Sequence, residues 1–211
     1  MKNFMFTDSP NNWLFENYYF SGANSRYWTW QVGLNLLLQT TKDPVVVETG
    51  CQRLADDLGA GMSTSIFGEF LTQYGGSLVT VDIDGHNLEV CRSCTEEWSK
   101  CIRYVKRDSI QFLKEYDGPA IDFLYLDSLD FPMDDLPDVA ARRAQAQNHC
   151  LHEFLAAEDK LTDTAILLLD DNQLPEGGKP AILKELLLDR KEWLCLLDLQ
   201  QSLWWRKQSV R

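Results

Sequence analysis

Four short apolar runs in this chain each close on an acid: VVVETG (Val45–Gly50), SLVTVDID (Ser77–Asp84), IDFLYLDS (Ile121–Ser128) and TAILLLDDN (Thr164–Asn172). Near-continuous β-branched and aliphatic runs of this length read as strands buried on both faces, which occur in parallel sheets covered by helices. Helical stretches separate them: one from Ser63, then His86–Trp98, Ser109–Tyr116, Val139–Leu161 and Pro180–Arg190. A further strand reads at Ile102–Lys106, and Trp193–Asp198 and Ser202–Arg206 close the chain. The short DLQQ connection lets those last two pair directly, which parallel neighbours cannot do. The alternation predicts an α/β fold: a doubly wound, mostly parallel sheet of seven strands, helices on both faces, the last strand antiparallel.

At 211 residues, with 45% hydrophobic and 25% charged content, one domain suffices. Residues 1–43 stand apart as an aromatic-rich cap segment, since eight of the twenty residues from Asn11 to Trp30 are aromatic. Within it Trp30–Thr40 reads as a helix packing over one edge of the sheet, with a cover for a ligand as the sharper alternative. Residues 44–211 are the domain proper. The formal net charge of −12 opposes a phosphate backbone, so nucleic acid is not expected as a partner. Apolar runs such as Ala165–Leu169 are too short for a bilayer, and residues 1–20 lack signal-peptide regions, so no membrane partner and a cytoplasmic location are expected. A homodimer is left open. Cys91 and Cys94 share one face of a helix without a second CxxC, which favours packing over zinc.

In such a sheet a ligand lies beyond the carboxyl ends of the strands. Those ends carry Glu48, Asp82, Asp127, Asp170, Asp171 and Asn172. A glycine-containing loop, Gly50 to Gly61, leads into the helix at Ser63, where unpaired N–H groups suit a carboxylate or phosphate. Asp82 is placed to accept hydrogen bonds from ribose hydroxyls. Asp108 could reach an adenine amino group or cap the helix from Ser109, two compatible roles. Acids converging with no Lys or Arg among them call for a divalent cation or a dense set of donors, and hard oxygen ligands suit magnesium or calcium.

The succession VVVETG, GMSTSIFGEF, GSLVTVDID, VKRDSIQFL, IDFLYLDS and AILLLDDNQLPEGGK resembles the class I S-adenosylmethionine-dependent methyltransferases, with their Rossmann-like fold. Within them it is similar to the cation-dependent O-methyltransferases and the related small-molecule and sugar enzymes. That resemblance implies S-adenosylmethionine as cofactor, with Glu48, Gly50, Gly61, Ser63, Asp82, Asp108, Ser109 and Asp127 on the cofactor side. It implies Asp127, Asp171 and Asn172 as metal ligands, with Asp170 and Asp171 as an alternative pair. The acceptor is then a small molecule with a hydroxyl group. Two departures stand out. The loop after Gly50 is long, and Asp130 occupies the position where catechol-type enzymes carry a lysine base, leaving Asp127, Lys179, His149 and, on the same helix, His152 as candidates. Competing readings are an NAD-dependent Rossmann oxidoreductase, which lacks its GxGxxG here, and a methyltransferase-like module without chemistry.

Overall fold

In the computed structural model, residues 26–54 and 62–207 are described. Helix α1 (Arg26–Thr40) precedes β1 (Val45–Thr49), α2 (Ser63–Tyr74), β2 (Ser77–Asp82), α3 (Gly85–Cys94), β3 (Ile102–Lys106) and α4 (Ser109–Lys114). There follow β4 (Ile121–Leu126), α5 (Val139–Ala157), β5 (Leu161–Leu169), α6 (Ala181–Leu188), β6 (Trp193–Asp198) and β7 (Ser202–Arg206). They build one seven-stranded sheet in the order β3-β2-β1-β4-β5-β7-β6. Strands β1 to β5 pair in parallel, and β7 lies between β5 and β6, antiparallel to both. The doubly wound sheet read from the sequence, with its inserted last strand, is the sheet observed.

Strand alternation sorts the core into two layers. Val47, Leu124, Leu126, Leu167 and Leu169 face α4, α5 and α6, while Val46, Phe123, Tyr125, Ile166 and Leu168 face α1 and α2. Helix α1 lies across the sheet face over β4, β5 and β7 rather than over an edge. Gly33 allows this, since a Cβ there would sit 3.2 Å from the Phe123 ring and 3.3 Å from Leu203. Tyr27 and Trp30 are therefore core residues, whereas Trp13, Tyr18, Tyr19 and Phe20 of the expected aromatic cap lie outside the described residues.

Several boundaries differ from expectation, α1 for one starting at Arg26 rather than Trp30. Helix α5 stops at Ala157, and a 3-10 turn at Glu158–Lys160 hands the chain to a strand that starts at Leu161, paired with Ile121 across a register shift. The β-branched Thr162 and Thr164 favour the extended form there. Leu155 of α5 is exposed, whereas Phe154 beside it is fully buried. Helix α3 ends at Cys94, with Cys91 buried and Cys94 half-buried as packing residues. Among the described residues no helix is long and apolar enough to cross a membrane.

Candidate active site

At the carboxyl ends of β1, β2 and β4 a cleft of about 430 Å³ opens, lined by Gly50, Cys51, Asp82, Asp108, Asp127 and His149 among others. Gly50 turns out of β1 with φ of 80°, and a Cβ there would lie 2.6 Å from the Asp127 carbonyl oxygen. Only glycine lets the β1 and β4 ends pass so closely. On the cleft wall Asp82 is fixed by donors: the Asp84 N–H at 2.7 Å on Oδ1, and the Cys51 N–H at 3.3 Å on Oδ2. Asp108 caps α4, accepting from the Gln111 N–H at 2.8 Å, and still lines the cleft. Ser109 Oγ and His149 Nε2 stand 3.1 Å apart. His149 is thus on the Asp108 side of the cleft. Burial lowers its pKa, but bonding to Glu153 outweighs this and the net shift is upward.

Glu48 and Ser63 are elsewhere. Both are buried beneath the start of α2, where Thr64 Oγ1 donates to Glu48 Oε2 at 2.8 Å. Desolvation pushes the Glu48 carboxyl up to about 7, against hydrogen bonds from Ser63, Thr64 and Thr80. Glu48 supports the α2 terminus from below instead of facing the cleft. The first turn of α2 is held by Gln52, whose Oε1 accepts from the Ser65 hydroxyl at 2.5 Å and its N–H at 3.3 Å. Nothing in the sequence marked Gln52, because a side-chain cap arriving from a preceding loop leaves no local pattern. Gly61 lies outside the described residues.

The acids at the ends of β4 and β5 meet two cations that the sequence reading did not place among them. Lys179 Nζ lies 2.6 Å from Asp127 Oδ1 and 3.1 Å from Asp171 Oδ2, and its side chain is 4% exposed. Behind them Arg26 Nη2 donates to Asp170 Oδ1 at 2.9 Å, and the Tyr125 hydroxyl donates to Asp170 Oδ2 at 2.5 Å. Burial acts to raise Asp170, but Arg26 and Lys179 outweigh it and hold the carboxyl below its ordinary value. Asp127 moves the other way, pushed up to about 7 by desolvation, with Lys179 opposing and Asp170 and Asp171 adding to the rise. Lys179 itself is raised, since three nearby carboxylates overcome its desolvation.

This arrangement corrects the expected metal triad. The Lys179 ammonium stands between Asp127 and Asp171, and Asn172 points away. Its Nδ2 donates to Asp198 Oδ1 at 2.8 Å, and its Oδ1 accepts from Lys184 at 2.8 Å. Asn172 therefore ties the β5 end to α6 and β6. Among the described residues no three His, Cys, Asp or Glu side chains converge as a metal set. The donors do not fit a magnesium or calcium ion while Lys179 is in place. Lys179 is also corrected as a candidate base, because a buried ammonium bonded to two carboxylates has no free lone pair to offer. Asp130, at the position of the missing lysine, instead pairs with Arg53 at 2.8 Å on the cleft wall.

A parallel sheet with an antiparallel β7 between β5 and β6, and a cleft beyond the β1, β2 and β4 ends, define the class I S-adenosylmethionine-dependent methyltransferase fold. The family model described as "Methyltransferase domain" matches residues 57–172, more than half of the chain, and the chain belongs to that family. No curated protein matches it. Solved structures of the same fold include SMU.1697c of Streptococcus mutans, a candidate methyltransferase in complex with SAH, at 12% identity and a TM-score of 0.58. That alignment covers 84% of this chain and 97% of that one. An rRNA methylase from Streptococcus thermophilus aligns at 11% identity and 0.57, over 85% and 97%. NSun6 from Pyrococcus horikoshii, solved with SFG, aligns at 14% and 0.58, over 84% and 50%.

Proposed function

We propose that this chain transfers a methyl group from S-adenosylmethionine to a hydroxyl of a small molecule, without a metal, using Asp127 as proton acceptor. The observation that carries this reading is the pair of fixed carboxylates on one cleft: Asp82 at the β2 end and Asp127 at the β4 end. Asp82, held by the Cys51 and Asp84 N–H groups, is oriented to accept from the ribose hydroxyls. Asp108 and Ser109 bound the adenine side, with His149 behind Ser109 as a positioning residue. When bound, the cofactor supplies a methyl already activated on sulfonium. The chain's task is alignment and proton removal. Asp127, fixed by Lys179 at 2.6 Å, keeps 24% of its side chain open to receive the acceptor's proton. In this reading α1 belongs to the catalytic domain with residues 44–207, because its Tyr27, Trp30, Leu34 and Leu37 pack on the sheet as part of the same core.

The acidic cleft and the net charge of −12 favour a small molecule over the rRNA named for some fold relatives. Transfer of labelled methyl to a panel of small hydroxylic acceptors tests the proposal, with Asp127→Asn as control. Wild-type turnover should rise with pH as Asp127 loses its proton near 7, and Asp127→Asn should lose about 10²-fold or more in rate. Full activity in Asp127→Asn would remove Asp127 from the chemistry.

A further inference from the structure

Asp127 and Asp171 come from adjacent strand ends and each keep 24% of their side chain exposed, yet both grip one buried group. Lys179 Nζ reaches a third oxygen as well, the Ser128 carbonyl at 3.4 Å. An ammonium has three protons to donate, so these three oxygens occupy all of them and none is left for a substrate. Two carboxylates and a main-chain carbonyl are the hard-oxygen set a divalent ion takes, here spread at 2.6, 3.1 and 3.4 Å around the ammonium nitrogen, wider than the roughly 2.3–2.6 Å a bound calcium would draw them to. The lysine is delivered by a turn of left-handed backbone. Glu176, Gly177 and Gly178 have φ of 59°, 82° and 65°, and Pro180 follows directly.

We propose that the Lys179 ammonium is the resident cation of this site: it fills the position between Asp127 and Asp171 that a divalent ion would take, so that transfer needs no metal and removing the ammonium opens a divalent-cation site. This rests on the methyltransferase reading for its role and on geometry alone for its existence. The substitution changes the chemistry available. A divalent ion would cancel both carboxylates and bind the acceptor oxygen itself. One ammonium against two carboxylates leaves a net negative charge, so Asp127 stays able to accept a proton. Lys179 is accordingly a positioning residue.

The test is a titration of Mn²⁺ into metal-free protein, reading free ion by electron paramagnetic resonance, for wild type, Lys179→Arg, Lys179→Ala and Lys179→Ala with Asp171→Ala. No stoichiometric binding is expected in wild type or Lys179→Arg. Lys179→Ala should bind one Mn²⁺ per chain at least tenfold more tightly than wild type, and the double variant should lose that binding. One Mn²⁺ per wild-type chain, abolished by Asp171→Ala, would overturn the proposal. So would a folded Lys179→Ala with wild-type affinity. If Lys179→Ala does not fold alone, recovery of its native circular dichroism on refolding with Mn²⁺ supports the proposal, and failure to recover overturns it. These measurements need no cofactor, so absence of S-adenosylmethionine binding would sink the methyltransferase reading separately.

Discussion

A Cβ on Gly178 would lie 1.6 Å from the carbonyl oxygen of Asp171, so the turn that delivers Lys179 presses directly on the strand end that receives it. Gly178→Ala adds that overlap to a left-handed backbone and should cost about 2–4 kcal/mol of stability. At Gly177 a Cβ would meet only the Ala181 Cβ, at 3.1 Å. Gly177→Ala should therefore be milder. Urea denaturation of both variants checks the order. Equal stability of Gly178→Ala and wild type would contradict the geometry.

Arg26 anchors α1 to the β5 end through Asp170, 144 positions away. Removing one partner of a buried ion pair strands the other, so Arg26→Ala should destabilise the fold by about 3–5 kcal/mol. The Gln201 amide, 3.3 Å from Asp170 Oδ2 and itself bonded by Thr29 at 2.6 Å, belongs to the same network. Thr29→Ala should cost less, about 1 kcal/mol, since it removes one neutral bond. A loss in Arg26→Ala no larger than in Thr29→Ala would argue against a buried charge pair.

Glu48 sets a pH dependence of stability. Its carboxyl is raised to about 7 in the folded chain by burial, against about 4.3 when unfolded. A raised acid contributes stability that is complete below pH 4.3 and lost as pH rises through 7. Other groups tilt the whole curve, so the comparison is with Glu48→Gln. The melting-temperature difference, Glu48→Gln minus wild type, should become more positive from pH 5 to pH 8. A difference that stays flat over that range would mean Glu48 is ionised in the fold.

The sheet was legible because strands buried on both faces write themselves as unbroken apolar runs, and because acids at their ends mark one rim. That Asp82, Asp108 and Asp127 line one cleft was legible for the same reason. The cations among the acids were not. Lys179 reaches Asp127 only because three consecutive residues adopt left-handed backbone, which the letters EGGK permit but do not dictate. Arg26 comes from the far end of the chain, and no local pattern links it to Asp170. Asn172 was misassigned because an amide next to two acids reads as a ligand, whereas its hydrogen bonds run to Asp198 and Lys184. Glu48 shared the acidic strand-end pattern but sits on the face beneath α2, a matter of register that strand ends alone do not reveal.

The most direct measurement is calorimetric titration of S-adenosylmethionine and of NAD into metal-free protein held in excess chelator, for wild type and Asp82→Ala. S-adenosylmethionine should bind wild type at one site per chain, and NAD should give no saturable heat. Asp82→Ala should keep its fold and bind S-adenosylmethionine roughly tenfold to a hundredfold more weakly, the loss of one charge-assisted set of about 1.5–3 kcal/mol. Binding of NAD in place of S-adenosylmethionine, or unchanged affinity in Asp82→Ala, would contradict the account.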